Sequence, residues 1–311
     1  MEAQETSRFT SVAARMLKTK DTEQMRFPLF VINLADAQPR MAAVHRRLEQ
    51  TLGDAVQIRR VDAIDGRNGN LSPAEADLST RSHYFVLNRP QLPDIMTLHS
   101  LEAIGNFMSH QRCWQRMVTE DIAVGIVCED DVSPRPELKG WLERDGSALS
   151  SNASDWDYIM LGFETFPFKH ATSRLEPVHV GDSMVYRPLG GIHQTMFGSH
   201  CYMVSRHGAE KLLRQSSPME MHSDYFLFIS ASLGRMRGFV ARTHTLAHQC
   251  DVNGRRRSLL EFGGNIPHFK WDMINAKVIL PDITLRTLFV VLLLAVMLWS
   301  AYKWKLRKNE T

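Results

Sequence analysis

The chain has 311 residues, of which 44% are hydrophobic and 23% are charged. These proportions are typical of a globular protein with one large or two ordinary domains, and they exclude collagenous, disordered and disulfide-scaffold proteins. The net charge of +3 arises in residues 302–311, where four basic side chains outnumber one glutamate, so residues 1–301 are neutral overall. We therefore expect no nucleic-acid partner, because such proteins carry a broad basic surface. Four widely spaced cysteines predict buried thiols and no zinc site.

The N-terminal segment, residues 1–27, has scattered charged residues and no apolar run. A secretory signal peptide requires such a run, so we predict a mobile arm. A mitochondrial-type transit peptide is the alternative, which the four acidic residues of the segment disfavour.

Residues 27–242 alternate between short apolar runs and segments with helical periodicity. Met41, Val44, Leu48 and Leu52, for example, lie on one face of a helix. The predicted strands cover residues 27–34, 56–61, 123–128, 157–161, 200–204 and 238–242. The predicted helices cover residues 38–52, 98–118, 206–214 and 224–233. Short apolar strands between helices predict a mostly parallel sheet with both faces covered, in which ligands bind at the carboxyl ends of the strands.

The C-terminal segment contains an uncharged, mostly apolar run at residues 288–301. Residues 283–304 reach the roughly 20 residues that a bilayer crossing requires if Arg286 and Lys303 extend their charges to the two interfaces. We predict a single-pass membrane anchor at 283–304 and a basic tail at 305–311, with the sidedness of the globular part unassigned. A buried C-terminal helix of the globular core is the alternative.

Three adjacent carboxylates, Glu129, Asp130 and Asp131, follow the predicted strand at 123–128. Their mutual repulsion is commonly offset by a divalent cation or a basic partner. If strand geometry continues, Glu129 and Asp131 point to one side and can hold a metal, or a metal and a ribose hydroxyl. A solvated acidic turn before Ser133 is the alternative.

Several segments between residues 28 and 260 carry a family resemblance. The first strand reads Val-Ile-Asn-Leu at residues 31–34 and is followed by Arg40, and the acidic segment reads Ile-Val-Cys-Glu-Asp-Asp-Val at residues 126–132. The other matching segments are residues 63–66, 104–110, 156–162, 198–213 and 218–224. In order and spacing these segments resemble glycosyltransferase family 25, the lipooligosaccharide and collagen galactosyltransferase family.

The resemblance implies a GT-A-like α/β domain over residues 28–275 that binds a nucleotide-sugar donor. It also implies UDP-galactose as the first candidate donor, Mn²⁺ or Mg²⁺ as cofactor, and a glycan, lipopolysaccharide-type or protein acceptor. A carboxylate-bound metal stabilises the charge that develops on the leaving diphosphate. The expected donor- and cofactor-binding residues are Asn33, Arg40, Asp65, His110, Glu129 and Asp130.

The acidic segment supplies the expected metal ligands. Asp131 is the first candidate and also an expected catalytic residue, and Glu129 is the second, for the metal or for the ribose. Asp130 either binds the donor or organises the surrounding loop. A third ligand is His248 or His244, unless that histidine is structural.

Asp224 is the second expected catalytic residue. An inverting displacement needs a general base for the acceptor hydroxyl, and Asp224 lies in the matching segment at 218–224. Its alternative role is to cap a helix that begins at Tyr225. For His110 the alternatives are a place in the donor pocket and a buried polar contact at a helix end.

Three positions depart from the family pattern. Ala103 stands where the family usually has Glu, Asn106 where it usually has Cys, and Glu220 where Asp is expected. These departures concern acceptor handling more than metal binding, because the acidic segment is intact. They leave open a second function, that of a catalytically silent, membrane-tethered relative that binds glycans or acts as a scaffold.

Overall fold

The computed structural model describes residues 26–67, 71–72, 76–79, 82, 98, 100–165, 174–189 and 196–254. Within these ranges no helix combines the length and the hydrophobicity that crossing a membrane requires. The predicted arm up to residue 25, the predicted boundary at 275, the anchor at 283–304 and the tail at 305–311 lie outside the described residues.

Ten strands of the described residues form one sheet. They are β1 (Phe27–Asn33), β2 (Val56–Asp62), β3 (Val124–Glu129), β4 (Val132–Pro134), β5 (Tyr158–Thr165), β6 (Arg174–Val180), β7 (Ser183–Leu189), β8 (Met196–Ser205), β9 (Gly238–Val240) and β10 (Ala247–Gln249). Their order is β2-β1-β3-β8-β5-β9-β7-β6, and β10 pairs with β4 and β5. Strands β2, β1, β3, β5 and β9 run in one direction, and β8 runs antiparallel between β3 and β5. The predicted largely parallel central sheet is confirmed.

Six α-helices accompany the sheet in the described residues. They are α1 (Gln38–Leu52), α2 (Leu101–Thr119), α3 (Pro136–Trp141), α4 (Ser147–Ser151), α5 (Arg206–Gln215) and α6 (Ser223–Ser232). A π-helical turn, Leu142–Gly146, joins α3 to α4. Helix α1 has Pro39 in its first turn, where the missing N–H breaks no helical hydrogen bond, and ends at Gly53, which has a positive φ of 52°.

Hydrophobic side chains cover both faces of the sheet. Along β1, Leu29 and Val31 belong to one cluster, which includes side chains of α1 and α3. Phe30 and Ile32 belong to the other, which includes side chains of α2, α5 and α6. Burial on both faces explains why the central strands are almost continuously apolar.

The loop after β2 packs directly on the backbone of α2. A Cβ atom on Gly105 would lie 2.5 Å from the carbonyl oxygen of Ile64, and one on Gly66 would lie 1.9 Å from that of Leu101. The Ser109 hydroxyl accepts the N–H of Ile64 at 2.8 Å. These contacts place the loop at the carboxyl edge of the sheet.

The predicted strands and helices are all present, with ends that agree within four residues. The structure also contains elements that were not predicted, namely the short strands β4 and β10, the hairpin of β6 and β7, and the helices α3 and α4.

Candidate functional site

The carboxyl ends of β1, β2 and β3 meet at one edge of the sheet. Because β2 lies on one side of β1 and β3 on the other, the connections from β1 and β2 leave in opposite directions. Ligands of open α/β sheets bind at such a switch point. The pairing of Cys128 with Cys201 brings the first half of β8 to the same edge.

The acidic segment forms the end of β3 and a two-residue turn. β3 ends at Glu129, Asp130 and Asp131 occupy the turn, and β4 begins at Val132. The prediction that Glu129 and Asp131 point to the same side required a strand that continues through Asp131. The strand does not continue, because the chain turns towards β4 and its partner β10. Each carboxylate consequently has its own environment.

Glu129 is held at one of its two oxygens. Oε1 accepts a hydrogen bond from the Ser199 hydroxyl at 3.0 Å and lies 3.4 Å from Nε2 of His110. Burial raises the pKa of Glu129, but the hydrogen bonds from His110 and Ser199 outweigh it and hold the pKa below its usual range. Glu129 is therefore ionised at neutral pH, with a side chain that is 18% exposed.

His110 is completely buried and bonded at both ring nitrogens. The indole N–H of Trp114 donates to the Tyr202 hydroxyl at 2.8 Å, and that hydroxyl lies 3.0 Å from Nδ1 of His110. An indole only donates, so the Tyr202 hydroxyl accepts from Trp114. The carboxylate of Glu129 only accepts, so Nε2 of His110 carries the hydrogen between them. His110 therefore makes buried polar contacts from the middle of α2, not from a helix end, and lies directly beside Glu129.

Asp130 is held at both oxygens. The amide of Asn33 donates to Oδ2 at 2.7 Å, and the guanidinium of Arg40 pairs with Oδ1. Arg60 orients the Asn33 amide by donating to its oxygen at 3.1 Å. Burial raises the pKa of Asp130, whereas Asn33 and Arg40 oppose this rise. Asp130 thus ties the turn to β1 and α1.

Asp131 is buried next to β10. The backbone carbonyl of Asp131 accepts two hydrogen bonds from Cys250, one from the backbone N–H at 2.7 Å and one from the thiol at 3.2 Å. His248 lies on β10 opposite Ser133 of β4. In the part of the chain that the structure describes, no three His, Cys, Asp or Glu side chains are arranged to hold a metal ion. The structure therefore does not gather Asp131, Glu129 and His248 into a three-ligand site.

Asp224 lies in the first turn of α6. The helix begins at Ser223 with His222 as its N-cap residue, so Asp224 is not the N-cap. Its carboxylate accepts the N–H of Tyr225 at 2.8 Å and the N–H of Gly198 at 3.3 Å. Asp224 therefore connects the start of α6 to the start of β8, at the edge that also carries Glu129.

Asp65 organises the loop after β2. It pairs with Arg67 through hydrogen bonds of 2.8 Å to both carboxylate oxygens, and Arg67 also binds Asp36 at 2.9 Å. These contacts join the loops that follow β1 and β2.

His200 is a buried site residue that the sequence analysis missed. Its Nε2 lies 3.1 Å from the carbonyl oxygen of Ala247, which only accepts, so Nε2 carries the hydrogen. Nδ1 has no hydrogen-bond partner among the described residues. Burial lowers the pKa of His200. Glycines make room for the ring, since a Cβ would lie 2.4 Å from Nε2 at Gly162 and 2.9 Å from Nδ1 at Gly198.

The three departures from the family pattern lie around α2 and α6. The Ser223 hydroxyl donates to the Asn106 side chain at 3.0 Å and lies 2.9 Å from the Ser199 hydroxyl, which itself donates to Glu129. Ala103 lies in the first turn of α2, and the carbonyl of Glu220 accepts a hydrogen bond from Ser82 at 2.8 Å.

Comparison with known proteins shows that the chain with this α/β fold and carboxylate turn is similar to glycosyltransferases. Residues 27–227 match glycosyltransferase family 25, described as an LPS biosynthesis protein family. The match covers more than half of the chain, so the protein belongs to glycosyltransferase family 25.

Two relatives show the range within this family. Procollagen galactosyltransferase 1 of Danio rerio is 26% identical over 208 residues, which are 64% of this chain and 30% of that protein. Inactive glycosyltransferase 25 family member 3 of Mus musculus is 32% identical over 136 residues, which are 43% of this chain and 21% of that protein. The chain thus spans less than a third of the length of these relatives.

Among solved structures, the inositol-1-phosphate CTP transferase from T. maritima matches 70% of this chain and 85% of its own. The sequence identity is 10% and the TM-score is 0.26, which is too low to support an inference.

Proposed function

We propose that this protein is a metal-dependent glycosyltransferase with a GT-A-like fold that transfers a sugar, with galactose as the first candidate, from a UDP-sugar. The observation that carries the proposal is the carboxylate turn at the carboxyl end of β3, next to β1 at the switch point of the sheet. Relatives named procollagen galactosyltransferase support galactose, and the family description supports a lipopolysaccharide-type acceptor. A glycan or protein acceptor is equally compatible with these names.

The residues present fit a hard divalent cation. Mg²⁺ is typically bound by one or two carboxylates together with substrate phosphates, so a three-ligand protein site is not required. Asp131 and the second oxygen of Glu129 are the oxygens that would hold Mn²⁺ or Mg²⁺, with His248 as a further candidate. The cation would stabilise the negative charge on the leaving diphosphate.

The side chains around the turn have separate roles in this proposal. Asn33 and Arg40 keep Asp130 turned towards β1, and Asp65 holds the neighbouring loop. His110 and Ser199 keep Glu129 ionised and oriented.

Asp224 is the proposed general base. Its carboxylate lies at the edge of the sheet that carries Glu129, and its two hydrogen bonds to backbone N–H groups fix its direction. An oriented carboxylate can take the proton from an acceptor hydroxyl as the sugar is transferred.

We also propose that residues 283–304 anchor the protein in a membrane. The support is the apolar run at 288–301 with basic residues beyond it. A membrane anchor would suit a glycolipid acceptor.

The test uses the full-length chain purified in detergent, assayed for release of UDP from a panel of UDP-sugars with and without Mn²⁺. We expect turnover of one donor that requires Mn²⁺, and a loss of at least roughly a hundredfold in Asp131→Asn, because an interaction with developing charge is removed. Asp182→Asn is the matched control, since Asp182 is exposed in the turn between β6 and β7. Equal activity of Asp131→Asn and the control would contradict the metal role.

A second candidate is the catalytically silent, membrane-tethered relative. It is favoured by the relatives named inactive, which are 32% identical to this chain over 136 residues. Binding of UDP and Mn²⁺ with no turnover of any donor, in the presence of lipid and protein acceptors, would favour this candidate. Absence of binding as well would exclude a donor site.

A further inference from the structure

We propose that Ser199 and Tyr202 are positioning residues that hold one oxygen of Glu129 so that its other oxygen meets the nucleotide-sugar donor. This inference rests on the proposed function and assigns roles within its site.

Two donors converge on the same atom of Glu129. Ser199 donates to Oε1 at 3.0 Å, and Nε2 of His110 lies 3.4 Å from the same oxygen. Oε2 accepts no hydrogen bond from the residues that the structure describes. The Glu129 side chain is 18% exposed. A carboxylate held at one oxygen has its second oxygen available for a metal ion or a ribose hydroxyl.

Tyr202 acts on Glu129 through His110. The hydroxyl of Tyr202 receives the indole N–H of Trp114 at 2.8 Å and lies 3.0 Å from Nδ1 of His110. This contact fixes the orientation of the buried imidazole, and with it the direction in which Nε2 presents its hydrogen to Glu129. Without the Tyr202 hydroxyl, no hydrogen bond in this chain holds Nδ1.

The backbone of β8 makes this convergence possible. Side chains three residues apart in a regular strand point to opposite faces, so Ser199 and Tyr202 would not serve the same carboxylate. The pairing of β5 with β8 shifts register between Gly162 and Glu164, and Gly198 has a positive φ of 108°. Such irregularities re-aim side chains next to functional sites.

Ser199 has a second connection that Tyr202 lacks. Its hydroxyl lies 2.9 Å from that of Ser223, the first residue of α6. Asp224, the proposed base, is the next residue. Ser199 therefore lies between the carboxylate proposed to face the donor and the helix proposed to face the acceptor.

The first test compares Tyr202→Phe with Tyr158→Phe. Both tyrosines are buried, and the Tyr158 hydroxyl donates to the carbonyl of Leu227 at 2.5 Å, away from Glu129. We expect similar losses of thermal stability. Only Tyr202→Phe should lower kcat/KM for UDP-galactose with Mn²⁺. The expected decrease is roughly fivefold or more, because the loss of one hydrogen bond in a chain that ends at a charged group typically has an effect of this size.

The second test compares Ser199→Ala with Ser205→Ala on the same strand. Ser205 is buried and donates to the carbonyl of Trp156 at 2.8 Å. We expect the UDP-galactose KM to rise in Ser199→Ala and to stay unchanged in Ser205→Ala. Equal effects in the two variants, or in the two tyrosine variants, would show a structural role only and overturn the inference.

A double variant tests whether Tyr202 acts through Glu129. In a Glu129→Gln background, Tyr202→Phe should have little further effect on kcat/KM, because the carboxylate that it positions is gone. Additive losses would overturn the inference. Nitrogen NMR of His110 gives an activity-independent readout, with a hydrogen-bonded Nε2–H expected in the wild type and a weakened hydrogen bond at Nε2 in Tyr202→Phe. A wild-type chain that neither binds nor turns over any UDP-sugar of the panel contradicts the proposed function, and an unchanged Nε2 signal of His110 in Tyr202→Phe contradicts this inference.

Discussion

Three successive side chains of the acidic turn have three different sets of partners. Asp130 is bonded by Asn33 and Arg40, Glu129 by Ser199 and His110, and Asp131 lies beside β10. Distributing the partners in this way separates the charges of adjacent carboxylates, which would otherwise repel one another.

The buried imidazole of His200 predicts a pH-dependent stability. Because burial lowers its pKa in the folded state, the unfolded chain binds a proton more readily once the pH falls below about 6.5. The free energy of unfolding of the wild type should therefore fall relative to His200→Gln as the pH is lowered from 7 to 5, by up to about 1.4 kcal/mol per pH unit. Glutamine can keep the hydrogen bond to the carbonyl of Ala247.

Urea unfolding of both proteins at several pH values measures this difference. Parallel stability profiles would contradict it and show that His200 titrates alike in the folded and unfolded chains.

The sequence indicated the carboxylates of the site but not the groups that hold them. Glu129, Asp130 and Asp131 stand together in the chain and follow an apolar strand, so they are visible without a structure. Ser199 and His200 carry no such signal, because a serine or a histidine in an apolar strand is ordinarily structural. Their role depends on β8 lying next to β3.

At the scale of elements, the contact between α2 and the loop after β2 depends on a glycine. A Cβ on Gly105 would lie 2.5 Å from the carbonyl oxygen of Ile64, whereas one on Gly140 in α3 would meet only the flexible end of Arg144 at 3.1 Å. We expect Gly105→Ala to lower the free energy of unfolding by about 1–3 kcal/mol through overpacking. Gly140→Ala should raise it by about 0.5–1 kcal/mol, because alanine is the better helix former.

Urea unfolding of the two helical glycine variants checks both signs. A Gly105→Ala variant as stable as the wild type would contradict the close packing of the loop on α2.

The hairpin of β6 and β7 shows a sequence signal that the sequence analysis left unused. Val180 pairs with Ser183, so Gly181 and Asp182 form a two-residue loop, and Gly181 has a positive φ of 55°. A Gly-Asp pair between two runs with apolar alternation is typical of such hairpins. Pro177 weakens the strand pattern, but it lies in β6, the last strand in the order of the sheet, where proline is tolerated.

At the scale of the whole molecule, the predicted membrane anchor can be tested directly. An arginine near the centre of a membrane-spanning helix costs about 2.5–3.5 kcal/mol on an insertion scale. Replacing both Leu293 and Leu294 by arginine should therefore move the protein from the membrane fraction to the soluble fraction after carbonate extraction. The control replaces the same two residues by valine and should leave the protein with the membranes.

Unchanged membrane association of the double-arginine variant would contradict a spanning segment at 283–304. The alternative from the sequence, a buried C-terminal helix, predicts instead that both the wild type and the valine control are extracted by carbonate.

The sequence was sufficient to predict the alternating strands and helices of the central fold, which depend on local periodicity, and its resemblance to known proteins was sufficient to indicate the family. Only the tertiary structure decided which side chains hold Glu129 and which hold Asp130. Asn33 meets Asp130 across 97 positions and Ser199 meets Glu129 across 70, because β1 and β8 lie on opposite sides of β3. Such contacts depend on the order of strands in the sheet, which no local pattern of side chains specifies.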